Sequence, residues 1–258
     1  MTLDIQRWAR IAVDGRSAFG RFEGEHIREY RGEMFGAHEP TDRLHAPQAI
    51  KLLCPVQPSK VIALWNNFAA LGDKLGLSVP GEPLYFLKSP NSFADPESNI
   101  APPRVATKVI FEGELGIVIG RTACAVDEAQ ALAHVFGYTC ANDVTAVELL
   151  NRDPSFAQWT RAKGMDGFCP MGPVVASGLD PQSLVVETLL DGQQRQRYPI
   201  SDMRFPVARL VSLISADMTL LAGDVILCGT SIGAGSMKPG SVIEVRIDGI
   251  GTLRNRYG

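Results

Sequence analysis

Residues 109–120 read VIFEGELGIVIG. Apolar and β-branched residues dominate the stretch, yet two carboxylates, Glu112 and Glu114, stand within it. Side chains in a strand alternate between faces. Phe111, Leu115, Ile117 and Ile119 therefore share one face with Gly113, while Glu112 and Glu114 share the other beside Gly116. The apolar face is fit to enter a core. The two carboxylates then stand parallel, and like charges so close repel more strongly the further they lie from water. A proton, an arginine or a metal ion has to offset that repulsion.

A third carboxylate, Asp143, follows the strand-like GYTCAN at 137–142. Between the two strands, DEAQALAHVF at 127–136 has helical spacing, with Asp127 placed to cap it. A strand–helix–strand unit brings the two strands side by side. Three convergent carboxylates make a hard-oxygen site suited to Mg²⁺ or Mn²⁺. The alternative is a half-exposed strand with a solvated glutamate face. Spacing alone leaves both readings open.

Strand patterns also cover 59–65, 84–88, 172–177, 184–190, 223–229 and 241–247, most separated by Gly or Pro turns. A second amphipathic helix is predicted over 205–216, FPVARLVSLISA. The chain reads as mainly β with a few helices. Residues 1–55 form a small N-terminal subdomain of two or three short strands, and 56–258 form a larger unit, with prolines in KLLCPVQP (51–58) turning the link. There are no repeats, no glycine-rich phosphate loop and no GxSxG elbow; the GAG around Ala234 is too weak to read as nucleotide binding.

The formal net charge of −3 with scattered Lys and Arg argues against nucleic acid and a polybasic membrane patch. No uncharged apolar run reaches the roughly 20 residues that span a bilayer, and residues 1–12 lack the apolar core of a secretory signal. Five cysteines form no CxxC pair, and most sit in apolar strand-like text that fits buried thiols in a reducing, cytoplasmic setting.

Several blocks, in order, resemble the fumarylacetoacetate hydrolase family: YFLKSPNS (85–92), FEGELGIVIG (111–120), GYTCANDVTA (137–146), RAKGMDGFCPMGP (161–173), the stretch 200–235 and IEVRIDGIGTLRN (243–255). The resemblance covers about residues 59–258. It implies a mixed β-sandwich roll, a homodimer, and a divalent cation, Mg²⁺ or Mn²⁺, held by Glu112, Glu114 and Asp143. It implies an active-site lysine at Lys163, where a cation beside a bound substrate polarises a carbonyl or holds an oxyanion. It also implies a substrate-carboxylate turn at Gly229 and Thr230. Without the resemblance, Lys163 reads as a surface charge and Gly229-Thr230 as a strand-ending turn. Lys88 reads equally as a contact for a second substrate carboxylate or as a strand-end charge. Trp159 reads as a pocket wall or as plain packing.

The implied substrates are small 2-oxo or β-diketo acids that enolise. The leading expectation is a metal-dependent hydrolase or decarboxylase that cleaves a C–C bond through an enolate. The alternatives are an isomerase or tautomerase of an unsaturated 2-oxo dicarboxylate, and a metal-dependent binding protein without turnover. Two departures bear on the choice. Many members carry an NYxxHxxE lid, but the matching stretch, Asn67 to Lys74, has Leu71 at the histidine position and Lys74 at the glutamate position, with Asp73 one place off. Val147-Glu148 stands where many members have Arg-Asp, which leaves either Arg152 or Arg161 as a replacement or a different substrate. Of the four histidines, His26, His38 and His45 lie in the N-terminal part and His134 in the helical pattern.

Overall fold

The computed structural model describes residues 4–106 and 108–258, so the first three residues of the expected N-terminal subdomain lie outside the described residues. Strand accounts for 44% of the chain and helix for 18%, which makes the fold mainly β. One large sheet carries, in order, His38–His45, His26–Gly32, Arg16–Glu23, Gln6–Val13, Cys169–Ser177, Val135–Asn142, Gly113–Ile119, Val225–Leu227, Val61–Trp65 and Leu84–Lys88. A second sheet runs Gln193–Pro199, Val185–Leu190, Val242–Ile247, Gly251–Tyr257 and Asn99–Ile100. A small third sheet joins Thr145–Ala146, Val109–Phe111 and Gly235–Ser236.

Gly113–Ile119 lies near the middle of the large sheet, flanked by Val135–Asn142 and Val225–Leu227. Leu115, Ile117 and Ile119 pack into the main core with Ile62, Leu64 and Ile226. Helix Val207–Asp217 lies over this side; Val207, Leu210, Val211 and Ile214 recur at helical spacing and are buried. Val118 faces the opposite way, among Val61, Ala63, Val225 and Leu227. Both faces of the strand are therefore covered, and a half-exposed strand with a solvated glutamate face is excluded.

The N-terminal part forms four long strands, from Gln6 to His45, rather than two or three short ones. They extend the large sheet, because Gln6–Trp8 pairs with Val175–Ser177. Their polar centre is Glu29, only 6% exposed. It accepts hydrogen bonds from Arg16 Nη2 at 2.7 Å and Arg43 Nη1 at 3.4 Å, and meets His45 Nε2 at 2.8 Å. The Arg16 hydrogen bond is the main reason the Glu29 carboxyl is held down to about 2. A depressed carboxylate stabilises the fold above its unfolded pKa and loses that contribution as pH falls through the folded value. Because both arginines are partly exposed, solvent screening limits the effect to about 1–2 kcal/mol. Glu29→Gln should remove that much acid-dependent stability between pH about 4.5 and 2, measured by denaturant midpoints at both ends. Equal pH dependence in the native and variant chains would contradict this.

One predicted helix is corrected. Residues 127–136 hold a single helical turn at Glu128–Ala131 and a 3₁₀ turn at Leu132–His134, then enter a strand at Val135. Val135 pairs with Ile119, so sheet pairing of a β-branched residue overrides the helical spacing. Asp127 makes no side-chain cap. Pro206 takes the N-cap position of the second helix, which therefore starts at Val207 and not at 205. Among the described residues, no helix is long and apolar enough to cross a membrane.

Candidate metal centre

Glu112 falls at the break between Val109–Phe111 and Gly113–Ile119. The break is tied down by the neighbouring strand: Glu112 N donates to Asn142 Oδ1 at 3.0 Å, and Asp143 N donates to the Glu112 carbonyl at 2.9 Å. Gly113 is pressed against Thr188 and Val245, so any Cβ there would collide with the second sheet. The chain thus brings Glu112, Glu114 and Asp143 together. One oxygen from each lies within 4.8 Å of the others. Glu114 and Asp143 are each 1% exposed, and the Glu112 side chain 12%.

Two ammonium groups reach the cluster. Lys163, at the end of the one-turn helix Trp159–Lys163, donates to Glu112 Oε2 at 2.6 Å and to Asp143 Oδ2 at 2.5 Å. It is not a surface charge. Lys88 closes the strand Leu84–Lys88, is 1% exposed, and donates to Asp143 Oδ1 at 2.6 Å and to the Phe168 carbonyl at 3.0 Å. Lys88 thus stands at a strand end as expected, but buried, with its ammonium committed to Asp143 and backbone carbonyls.

The electrostatics separate the three acids. Burial alone would raise Asp143, but the Lys163 and Lys88 charges outweigh it and hold the carboxyl below its usual range. Burial raises Glu112, and the opposing pull of Lys163 only partly offsets this. Glu114 is pushed well up, by burial first and then by the charges of Asp143 and Glu112. Lys163 is held up, because Asp143 and Glu112 overcome the effect of its own burial. Glu114 is the unbalanced member. Its hydrogen-bond donor is the Gly229 backbone N–H, at 2.9 Å.

Gly229 adopts φ 88°, the left-handed region that favours glycine, which turns the chain after Val225–Leu227 so that this N–H faces Glu114. Thr230 Oγ1 donates to the Gly113 carbonyl at 3.0 Å and accepts from Gln196 Nε2 at 2.8 Å. The resemblance reads this turn as a substrate contact; in the structure both groups brace the glutamate strand. Sequence reasoning missed the other brace. Gln196 Oε1 accepts from Gly113 N at 3.1 Å, and the Tyr198 hydroxyl donates to the Gly113 carbonyl at 2.5 Å. Their signal was the alternation Gln196, Tyr198, Ile200 in a polar stretch, where the glutamines and arginines mask a strand.

The lid-like stretch forms a short helix, Ala69–Lys74. Leu71 is half-buried and Lys74 exposed. Asp73 pairs with Arg204 at 3.1 Å. The histidines hold other places. His45 meets Glu29, His38 packs against Trp8 and Tyr30, His134 contacts the Thr122 carbonyl, and His26 pairs with Glu23 in the N-terminal sheet. None of the four joins the carboxylate group.

Comparison with known proteins gives a consistent picture. The model of the fumarylacetoacetate hydrolase C-terminal domain matches residues 60–257, and an N-terminal model called Rv2993c-like matches residues 6–55. Oxaloacetate tautomerase YisK of Bacillus subtilis is 35% identical over 255 residues, covering 88% of this chain and 84% of that protein. The structure of a 2-hydroxyhepta-2,4-diene-1,7-dioate isomerase from Mycobacterium marinum is 39% identical, with a TM-score of 0.90 and 98% of both chains covered. A fumarylpyruvate hydrolase from Pseudomonas aeruginosa, solved with Mn²⁺ and pyruvate, is 28% identical, with a TM-score of 0.73, covering 80% of this chain and 91% of that one.

Proposed function

The chain belongs to the fumarylacetoacetate hydrolase family of enzymes, and from that premise we propose that it is a divalent-metal-dependent tautomerase or isomerase of a small enolisable 2-oxo acid. The observation that carries the reading is the buried group Glu112, Glu114 and Asp143. Three carboxylates face two ammonium groups there, which leaves one negative charge unbalanced. Oxygen donors of this kind suit Mg²⁺ or Mn²⁺, and these three residues would hold the cation. When bound, it supplies a Lewis acid toward the neighbouring oxygens of a 2-oxo acid.

The chain's own residues do the rest. Lys88 fixes the Asp143 carboxylate from behind, and the Gly229 N–H fixes Glu114. Lys163, protonated at neutral pH and adjacent to two of the acids, is placed to hold negative charge on a substrate oxygen. Expulsion of water by the buried walls strengthens that interaction. Hydrolysis needs a base that activates water near neutral pH, usually histidine. Leu71 occupies the expected place and no histidine joins the cluster. Moving a proton between carbon and oxygen needs no attacking water, which favours tautomerisation or isomerisation over C–C cleavage.

The test follows the ultraviolet absorbance of enol oxaloacetate and of an acylpyruvate, with and without Mg²⁺, alongside assays for CO₂ and cleaved acid. The expected result is metal-dependent ketonisation without CO₂ or cleavage. Stoichiometric cleavage of the acylpyruvate would favour the hydrolase instead. No turnover of either compound, with metal bound, would favour a binding protein.

A further inference from the structure

The face of the large sheet that carries Glu114 continues sideways into an aromatic ledge. Gly116 and Val118 pair with Leu227 and Val225, which pair with Ala63 and Val61, which pair with Phe86 and Lys88. Paired residues lie on the same face of a sheet. Trp65, two residues beyond Ala63, and Phe86, two before Lys88, therefore share the face of Glu114. Helix Trp159–Lys163 crosses this face. Its Trp159 and Lys163, four residues apart, project from the same side. Lys163 reaches the carboxylates, and its Nζ lies 5.2 Å from the centre of the Phe86 ring. Trp159 stacks on Phe86, with centroids 4.9 Å apart and planes 19° apart, and meets Trp65 at 5.7 Å. All three rings are half-buried, so the ledge is in part open.

The charges around the cluster leave room for one carboxylate. Lys88 and Lys163 are committed to Asp143 and Glu112. A divalent cation would turn the local balance from one negative to one positive charge, which a single carboxylate matches. Arg161 stands two residues from both Trp159 and Lys163, on another side of the helix, and is exposed. Arg152 donates to the Val105 carbonyl. Val147 offers no charge.

We propose that the substrate is a monocarboxylic 2-oxo acid with a flat aryl or conjugated tail, and that this tail stacks on the ledge formed by Trp159, Trp65 and Phe86. The inference rests on the tautomerase reading and names its substrate class. In ketonisation of such an enol, the hydroxyl gives up its proton, a proton is added at C3, and no bond of the carbon skeleton breaks. An aromatic face gives a flat tail both apolar burial and ring contact, whereas a second carboxylate there would meet rings, the described lysines beside them, Lys88 and Lys163, being already paired with the acids.

The experiment compares Mg²⁺-dependent ketonisation of enol phenylpyruvate and enol oxaloacetate by the native chain, Trp159→Leu, Trp159→Phe and Trp65→Leu. The native chain should favour phenylpyruvate roughly tenfold or more in kcat/KM. Trp159→Leu should lose roughly tenfold on phenylpyruvate, mainly through KM, and about twofold or less on oxaloacetate. Trp159→Phe should restore most of the loss, and Trp65→Leu, at the outer ring, should show the same pattern more weakly. A native preference for oxaloacetate, or equal losses on both substrates, would overturn the ledge while leaving the tautomerase reading intact. Failure of the native chain on both substrates would overturn that reading and the ledge with it.

Discussion

Glu114→Gln should keep the metal-free stability of the native chain and lose the rise in melting temperature that Mg²⁺ or Mn²⁺ confers. At a hundredfold excess over Kd, one bound ion stabilises a fold by about 2.7 kcal/mol. For a chain of this size that is a shift of about 5–10 °C. Glutamine is nearly isosteric, and its carbonyl can still accept the Gly229 N–H that Glu114 accepts. The substitution removes a buried charge that has no ammonium partner, so little is lost without metal. The pH dependence adds a second readout. Burial holds the Glu114 carboxyl well above its usual range. In the metal-free protein its contribution is therefore fully present below the unfolded pKa and falls away as pH rises through the folded value. Metal binding, which needs the carboxylate, strengthens over the same rise. Glu114→Gln should flatten both trends. A variant that keeps the full melting shift would show that the ion binds elsewhere.

Lys163→Met is expected to act in the opposite sense on stability and strongly on rate. Without Lys163, Asp143 keeps only Lys88 as an ammonium partner, and Glu112 loses its own. Breaking a buried ion pair on one side costs about 3–5 kcal/mol, so the metal-free variant should melt well below the native chain. A divalent cation restores positive charge to the same oxygens, and the metal-induced shift should grow. Turnover should fall by roughly 10²–10³ in kcat, the loss expected when one donor to a developing oxyanion is removed, with KM changing less. Activity within about threefold of native would remove Lys163 from the chemistry. An unchanged metal shift would show that its ammonium does not compete for the cation's oxygens.

Glu112 and Glu114 were legible as a pair because their two-residue spacing puts them on one side of an extended chain, although the strand itself breaks at Glu112. Their burial was not. That follows from Lys88 and helix Trp159–Lys163 reaching the acids from distant parts of the chain, and no local pattern encodes such packing. Asp143 could be joined to the pair only through a topology, and the antiparallel pairing of Gly113 with Asn142 supplies it. Lys163 depended on family resemblance, since one lysine on a short polar helix carries no periodic signal. Helical spacing misled at Val135 and Phe136, where a strand partner was available. Gln196 and Tyr198 were hidden because buried polar side chains that satisfy backbone groups look, in sequence, like solvent-facing ones. Lys88 was visible as a residue but not as a partner of Asp143, a relation between positions 55 residues apart.

The most direct measurement is anomalous diffraction from crystals of the protein soaked in Mn²⁺. The expected result is one strong peak per chain, among the carboxylates of Glu112, Glu114 and Asp143, with the Lys163 ammonium moved off at least one of its two present partners. A map with no peak there at saturating Mn²⁺, with Lys163 still bridging Glu112 and Asp143, would contradict it.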